Sequence, residues 1–270
     1  MTAAAPPLPG TTPILEQVKA AQRRSRLSFR IWFALTWAAL VGTLLISLWV
    51  TGNINADFIA SAGPYIIGGA GITILISLTS ITIAVALALL GALGRLSKNP
   101  VINGVASLYV SLVRGTPLLV QIFFVYLALP QLGIILPVLV GGVAALAFNY
   151  GAYMTEIFRA GIQAVPKGQR EAAQALGMPE RMIMQRVVLP QAFRIVIPAI
   201  GNDFVSMIKD SSLVYVLGVQ ELLWRASTIG RRELSSLEAL IIAAGVYWGL
   251  TMIFSAFQDR LERRMARGDR

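Results

Sequence analysis

The chain contains no cysteine and no histidine among its 270 residues. Without cysteine there are no disulfides and no thiolate metal sites, and without histidine the commonest general base and metal ligand is missing. Charged side chains are also scarce, at 13% of the chain, whereas soluble domains carry about 25%. Any enzymatic chemistry would therefore depend on carboxylates alone.

A nucleotide-binding loop is missing as well. No G-x-x-x-x-G-K-[ST] run occurs anywhere in the sequence, and that run is a common cradle for nucleotide phosphates. We therefore expect the chain to bind no cofactor and no metal of its own.

Long apolar runs dominate what is present, and 56% of the residues are hydrophobic. A membrane-spanning helix needs about 20 apolar residues, so the runs predict an all-α membrane protein with six transmembrane helices. Pro117 interrupts the third run and should kink its helix there. The predicted spans are residues 31–50, 65–93, 101–130, 138–158, 193–217 and 239–257. The predicted external links are residues 51–64, 131–137 and 221–238.

Basic residues predict which side of the membrane each connection faces. They cluster before the first run, at residues 95–98, in loop 161–190 and after the last run, and six spans place these clusters on one side. Lysine and arginine favour cytoplasmic connections, so both termini are predicted to be cytoplasmic. The net charge of +10 is then explained without nucleic acid. Three arginines fall on the outer side, close to glutamates, as exceptions: Arg225, Arg231 and Arg232.

The runs and charges divide the chain into parts. Residues 1–13 are rich in proline and are predicted to be a mobile tail, and residues 16–30 a basic amphipathic helix. The predicted parts are a basic cytoplasmic tail (1–30), an extra span with its external link (31–64), the main transmembrane domain (65–257) and a basic cytoplasmic tail (258–270).

Loop 161–190 is a polar island between apolar runs. The glycine and proline positions in the loop predict a helix over 167–176, a left-handed residue at Gly177, and a second helix that starts near Pro179 and ends at Pro190. Composition alone is also typical of a solvated loop whose charges only fix orientation. The first helix carries three small side chains that would let another surface approach closely: Ala172, Ala173 and Ala175.

The spacing in this loop is Glu171-Ala172-Ala173, three residues, Gly177, nine residues, Val187, one residue, Leu189-Pro190. It resembles the EAA loop of permease subunits of binding-protein-dependent ABC importers, with valine at 187 where isoleucine is usual. Further segments resemble the polar amino-acid branch of these permeases, the branch for histidine, glutamine, glutamate and arginine: 68–78, 109–130, 149–177 and 197–222. The added residues 1–64 depart from the five-span core of that branch.

The resemblance implies that the loop is a cytoplasmic helix-turn-helix that docks in a groove of an ATPase subunit. It also implies a complex of two permease subunits, identical or paralogous, two ATPases that hold ATP and Mg, and an external solute-binding protein. Such a complex works in the bacterial inner membrane and imports polar amino acids. The positions that match the coupling motif are Glu171, Ala172, Ala173, Gly177, Leu189 and Pro190.

Polar residues inside the spans are candidates for a solute pathway or for bracing between helices. For four of them both roles remain open: Asn149, Glu156, Asn202 and Asp203. For a second group we expect a structural or gating role: Arg114, Pro117, Lys209 and Asp210. Gln121 is predicted to form a hydrogen bond between helices, and Tyr150 and Tyr153 to pack within their span.

Other functions stay open at this point. The importer would serve another solute class if its branch differs, such as compatible solutes, phosphonates, opines or other organic ions. The chain would also suit a channel without an ATPase, or a structural membrane subunit. An intramembrane enzyme would have to use Asp203 and Asp210, but seven residues along a helix place them about 10 Å apart, which is too far to share a proton.

Overall fold

The computed structural model describes residues 11–52 and 54–266. Within those two ranges the chain is helical with short connections and contains no strand, which confirms the all-α prediction. The α-helices are α1 (Thr11–Gly52), α2 (Ala56–Ile67), α3 (Ala70–Leu96), α4 (Pro100–Arg114), α5 (Leu118–Phe123), α6 (Val138–Ala164), α7 (Lys167–Ala175), α8 (Glu180–Ile183), α9 (Leu189–Asp210), α10 (Leu222–Arg232) and α11 (Ser236–Ala266). Two π-helical turns (Phe124–Ala128, Met184–Val188) and two 3₁₀ turns (Leu129–Leu132, Ser211–Leu217) complete the described elements.

Five helical segments of the described chain are long and apolar enough to cross a membrane. The pair α4–α5 adds a sixth crossing if it counts as one broken span. Each of the five overlaps one of the predicted apolar runs, and the bent pair covers the remaining run. The five segments are Ala20–Ser47, Ala56–Leu96, Val138–Ala164, Glu180–Leu217 and Ser236–Met265.

The predicted kink at Pro117 is confirmed as a sharp break. The axes of α4 and of the helical segment Leu118–Leu132, which begins with α5, meet at 105°. Proline has no N–H for the carbonyl four residues earlier, which belongs to Val113. Gln121 takes that place, because its Nε2 donates to the Val113 carbonyl at 2.8 Å and to the Thr116 hydroxyl at 2.9 Å. The break is therefore hydrogen-bonded and fixed in direction.

The predicted link 51–64 is helical for most of its length. The first helix continues to Gly52, and α2 begins only four residues later. Asn55 starts α2, because its Oδ1 accepts the Phe58 N–H at 3.0 Å and satisfies a free donor of the first turn. The helix forms because its inner face has apolar partners on α10 and α11. These buried residues are Phe58, Ala62 and Ile66 with Leu222, Ala226, Ala239 and Ala243.

The predicted end of a helix at Pro190 is also wrong. α8, the π turn at Met184–Val188 and α9 follow one another without a break, with Pro190 in the first turn of α9. A π turn widens the helix by one residue, so the chain passes the proline ring without losing its direction. Gln191 adds a side-chain hydrogen bond next to the proline, since its Nε2 donates to the Val187 carbonyl at 2.9 Å.

The two ends of the described chain are long helices. α1 forms a unit of its own and joins the predicted basic helix and first span in one helix. Residues 11–13, predicted to belong to a mobile tail, lie in its first turn. α11 carries the last span into the predicted basic tail as far as Ala266. The remaining parts of both predicted tails, residues 1–10 and 267–270, lie outside the described residues.

The centre of the second unit is the contact between α3, α6 and α9. α3 presents alanines at four-residue spacing, which lets α6 approach closely where lipid gives no hydrophobic drive. The closeness extends to Gly91, where a Cβ would lie 2.2 Å from the Thr155 hydroxyl oxygen. The buried residues of this core are Ala84, Ala88, Ala92, Tyr150, Met154, Phe158, Val196 and Met207.

A second close contact joins the α2–α3 junction to α10, and it predicts a stability difference between two glycines. A Cβ at Gly69 would lie 2.7 Å from the Leu222 Cα and 2.8 Å from its backbone nitrogen, whereas a Cβ at Gly71 would meet nothing within 4 Å. Backbone atoms cannot move aside like a flexible side chain. We expect Gly69→Ala to cost about 1–3 kcal/mol and Gly71→Ala close to nothing. Thermal unfolding of the two purified variants checks this, and equal midpoints would contradict it.

Glu221 is the hub of this contact, and it was not expected from the sequence. Its side chain is fully buried and caps α10, accepting the Trp224 N–H at 2.8 Å. The other carboxylate oxygen accepts the Tyr247 hydroxyl at 2.5 Å and the Thr73 hydroxyl at 3.4 Å. One carboxylate thus joins α3, α10 and α11. The predicted polar segment 221–238 is therefore mostly ordered helix rather than a plain link.

The burial of Glu221 predicts a pH dependence of stability. Burial raises the pKa of this carboxyl, although the hydrogen bond from Tyr247 opposes the shift. In the unfolded chain this glutamate loses its proton near its ordinary pKa of about 4.3, whereas the native protein keeps the proton to a higher pH. The contribution of Glu221 to the free energy of unfolding therefore falls as the pH rises above that value. Glutamine does not titrate. We expect the melting temperature of the wild type minus that of Glu221→Gln to decrease with rising pH, and a constant difference would contradict this.

Candidate functional site

The loop between α6 and α9 has a fixed turn at its tip. α7 ends at Ala175, and Gly177 has a φ of 76°, which confirms the predicted left-handed residue. The Gly177 N–H donates to the Gln174 carbonyl at 2.9 Å, and the Met178 N–H to the Ala173 carbonyl at 3.1 Å. This pair of hydrogen bonds is the Schellman arrangement, which satisfies the last carbonyls of a helix. An ion pair between Arg170 and Glu180 closes the turn from outside.

The loop also has its own small hydrophobic core. Ala173 lies in that core, only 4% exposed, so the structure does not place it on the outer face with the other two alanines. The expectation that all three alanines face another surface is wrong for this position. Leu189 is half-buried and Pro190 exposed. The core residues join the end of α6 to the start of α9: Val165, Ala173, Ile183, Val188 and Ala192.

The outer face of α7 is free of contacts with the rest of the described chain that would bury it. Glu171, Ala172 and Ala175 are exposed there, beside Leu176, whose side chain is 82% exposed. A rigid helix that presents small side chains, one carboxylate and one large apolar side chain can lie closely on another protein surface. The geometry fits a docking element better than a mobile solvated loop.

An ion cluster connects α6, the helix that leads into this loop, to its neighbours. Glu156 accepts from Arg95 Nε at 3.1 Å and from Arg159 Nη2 at 2.6 Å. Arg95 also donates to the Ser107 hydroxyl at 2.5 Å, so the cluster joins α3, α4 and α6. Both oxygens of the Glu156 carboxylate are engaged. In the structure Glu156 thus braces three helices, and its role in a pathway stays a prediction.

A polar cavity of about 260 Å³ lies beside the break at Pro117. Two of the predicted pathway residues line it, Asn149 and Asp203, which the fold brings together from α6 and α9. Two residues of the predicted structural group, Pro117 and Asp210, line it as well. The remaining lining residues are Thr116, Leu118, Tyr150, Tyr153 and Ser206.

The cavity wall on α6 is held by hydrogen bonds. The buried Asn149 donates to Gln121 Oε1 at 3.2 Å, which confirms the predicted helix–helix bond of Gln121. The Tyr150 hydroxyl donates to Asp210 Oδ2 at 2.8 Å. Arg114, which is exposed, places its guanidinium 5.2 Å from the centre of the Tyr153 ring. The two tyrosines were expected only to pack. The spacing i, i+1, i+4 of Asn149, Tyr150 and Tyr153 places them on one side of α6, and this spacing is the signal that would have indicated a polar wall.

Asp203 stands apart from these satisfied groups. Its Oδ2 atom is buried and has no hydrogen-bond partner within the described residues. Leaving a buried carboxylate oxygen without a donor is costly. Among the described residues, no lysine or arginine lines the cavity. The arrangement therefore favours a solute that brings its own cation, such as an ammonium group.

The other predicted site residues lie away from the cavity. Asn202 and Lys209 are exposed and are not among its lining residues. Helical spacing explains this, because each is one residue from a lining aspartate and so points about 100° away from it. The predicted pathway set is thus divided: Asn149 and Asp203 share the cavity, whereas Asn202 and Glu156 do not.

Comparison with known proteins identifies the class. Residues 84–267 match the family of the binding-protein-dependent transport system inner membrane component, over more than half of the chain. The chain belongs to this family, so it is a multi-pass membrane transport permease and not an enzyme. Membership in the family implies an ATPase and a binding protein as partners.

Individual relatives are similar over most of their length. The L-cystine transport system permease protein TcyB of Bacillus subtilis (strain 168) is 42% identical over 205 residues, 76% of this chain and 88% of that protein. The arginine transport system permease protein ArtQ of the same organism is 38% identical over 218 residues, 80% of this chain and 100% of that protein.

Solved structures support the fold. The crystal structure of an amino acid ABC transporter with histidines is 40% identical, with a TM-score of 0.75 over 78% of this chain and 99% of that chain. An inward-facing structure of the MetNI methionine ABC transporter is 13% identical, with a TM-score of 0.55 over 78% of this chain and 99% of that chain. At that identity the likeness concerns the fold alone.

Proposed function

We propose that this chain is the permease subunit of an ATP-driven importer that carries polar amino acids across the bacterial inner membrane. Two permease subunits, identical or paralogous, form the passage, and an external binding protein delivers the solute. Each permease docks on one ATPase subunit. ATP and Mg lie on those ATPases, and this chain binds no cofactor.

The observation that carries the proposal is the fixed turn of the loop between α6 and α9. Glu171 and Ala172 stand on its exposed face, and Gly177 sets the bend, so these positions suit contact with the ATPase. Ala173 supports that face from behind, and Leu189 and Pro190 begin α9 beside the loop core. The loop core fastens α7 to α6 and α9 together. Movement of the ATPase therefore acts on both helices that border the polar cavity.

The polar cavity suits a stretch of the amino-acid pathway. Its amide, hydroxyl and carboxyl groups offer hydrogen bonds to an ammonium and a carboxylate, while the tyrosines cover the carbon atoms of a small side chain. In this proposal Asp203 receives the ammonium group of the solute, and Asn149 orients it. Pro117 and Asp210 shape the wall, and Arg114 braces Tyr153. The named solutes of the relatives, cystine, arginine and glutamine, are all amino acids.

We also propose six spans with both termini in the cytoplasm. The support is the bent pair α4–α5 counted as one span, together with α1 as an extra span ahead of the transmembrane domain 65–257. This topology places residues 1–30, the 95–98 turn, loop 161–190 and the tail 258–270 on the cytoplasmic side. Their positive charge agrees with the preference of lysine and arginine for that side.

A reconstituted complex tests the function. The chain is co-expressed with its ATPase and placed in proteoliposomes, and ATP hydrolysis is measured with the binding protein and each amino acid in turn. We expect a polar amino acid to stimulate hydrolysis several-fold and to accumulate inside the vesicles, while compatible solutes such as betaine do neither. Solute flux without ATP would indicate a channel instead. Failure of any ATPase to co-purify with the chain would contradict the proposal.

A further inference from the structure

A second cavity, of about 450 Å³, lies between α9 and α11. It is not lined by any residue of loop 161–190 or of the polar cavity. We name it the α9–α11 groove. Its walls are apolar and its one charged end is formed by two arginines, Arg260 and Arg264. The remaining lining residues are Gly201, Phe204, Val205, Phe254, Phe257, Gln258 and Leu261.

The walls of the groove are suited to an acyl chain. Phe204 and Phe254 meet edge to face with ring centres 5.0 Å apart and form its back. Phe257 is 64% exposed and Leu261 44% exposed along its rim. Gly201 keeps the floor open, since a Cβ there would already lie 3.0 Å from the Gln258 side chain. These groups leave an apolar slot open on the side of the molecule.

Basic residues of α11 line the groove, and acidic residues of α11 do not. Five charged residues lie between positions 259 and 264, and the two that line the groove are both arginines. Arg260 and Arg264 stand four residues apart on one helix face, where like charges repel each other. Neither forms an ion pair within the described part of the chain. Of the two carboxylates, Asp259 does not line the groove, and Glu262 is held by Gln258 Nε2 at 3.0 Å.

The position of the arginines along the helix matches the depth of lipid phosphates. The candidate span of α11 runs from Ser236 to Met265, so both arginines lie in its last turns, where a membrane helix reaches the headgroup region. Basic pockets between membrane helices at this depth hold anionic headgroups. A guanidinium also matches a phosphate geometrically, because two N–H groups point at two oxygens.

We propose that the α9–α11 groove binds an anionic phospholipid, with one acyl chain on the phenylalanine wall and the phosphate between Arg260 and Arg264. A soluble anion would satisfy the arginines but leave the apolar walls uncovered. A neutral lipid would cover the walls but leave two like charges facing each other. Only a ligand that has both an acyl chain and an anionic group matches both the apolar walls and the two arginines. The proposal requires that α11 spans a membrane and does not depend on which solute the permease carries.

Native mass spectrometry of the complex, extracted in mild detergent, tests the site. Phosphatidylglycerol and phosphatidylcholine are added in turn, and the lipid bound per permease is counted. We expect the wild type to retain phosphatidylglycerol in preference to phosphatidylcholine. We expect the double variant Arg260→Gln with Arg264→Gln to retain at least about tenfold less phosphatidylglycerol, because each basic residue near an anionic headgroup adds to binding. Each single variant should show a partial loss.

Arg263→Gln is the control matched to each single variant. It removes one positive charge from the same turn of α11, but Arg263 does not line the groove. We expect it to retain phosphatidylglycerol like the wild type. Equal losses in Arg263→Gln and the double variant would overturn the proposal in favour of general charge attraction. Undiminished binding in the double variant, or equal retention of both lipids by the wild type, would overturn it as well.

A second permease copy is the competing occupant of the groove. Because the chain has no cysteine, Phe257→Cys gives a single thiol on its rim. In membranes we expect this thiol to remain uncrosslinked under mild oxidation. A disulfide-linked dimer would show that another copy covers the groove and would overturn the lipid assignment.

Discussion

Gly177→Val is expected to reduce amino-acid uptake at least about tenfold while the protein still reaches the membrane in normal amounts. The backbone at this position has a φ of 76°, a conformation that costs L-residues about 1–2 kcal/mol and more when the side chain is β-branched. A cost of about 1.4 kcal/mol corresponds to a tenfold change in population. The turn then opens, both Schellman hydrogen bonds are lost, and α7 no longer stands at the angle that the ATPase contacts.

The insertion of this variant should be normal because a Cβ at Gly177 meets nothing within 4 Å. Two controls isolate the backbone effect. Gly177→Asn should retain most of the uptake, since asparagine tolerates the left-handed conformation. Gly168→Val lies in the same loop, where a Cβ also meets nothing within 4 Å, and should retain uptake too. The measurements are uptake and ATP hydrolysis in proteoliposomes, and wild-type uptake by Gly177→Val would remove the coupling role from this turn.

Asp203→Asn is expected to lower transport without lowering stability. Removing one partner of a buried charge pair costs about 2–5 kcal/mol, so we expect kcat/KM for uptake to fall at least about 30-fold, with 1.4 kcal/mol for each factor of ten. The Oδ2 atom of this carboxylate is buried without a hydrogen-bond partner within the described residues, so its replacement should leave the melting temperature unchanged or raise it.

Reduced uptake together with an unchanged or raised melting temperature separates a solute-binding residue from a structural one. A structural carboxylate would lose stability when replaced, and transport would follow only in proportion to the protein lost. Asn202→Ala is the neighbouring control, because its side chain is exposed and outside the cavity, and it should retain both properties. Normal uptake together with a lowered melting temperature in Asp203→Asn would contradict the pathway assignment.

Local chemistry made parts of this molecule predictable from the sequence. Gly177 follows a helix-forming stretch and precedes a proline by two residues, so only a left-handed turn fits, and the structure has one. Pro117 lacks a hydrogen-bond donor wherever it lies, so a break followed. The long apolar runs needed no partner to be recognised as helices. Each of these inferences depends on residues within a few positions of one another.

The parts that failed depend on residues far apart in the chain. The ion pair of Glu156 with Arg95, 61 positions earlier, could not be predicted from either segment alone. Ala173 matches the coupling motif, yet its burial depends on Ile183 and Val188 folding back under it. Pro190 ends a helix by local rules, but a π turn supplied by its neighbours carries the helix through. No pattern within one segment encodes such compensations.

The uninterrupted helix from Glu180 through the π turn to Asp210 has a mechanical consequence. About 35 Å of helical rod, at 1.5 Å per residue, separates its start from Asp203. The base of this rod is clamped in the loop core by Val188 and Ala192, so a small tilt imposed there is magnified into a larger sideways swing of the carboxylate at the far end. This continuous helix would thus connect loop 161–190 to the polar cavity.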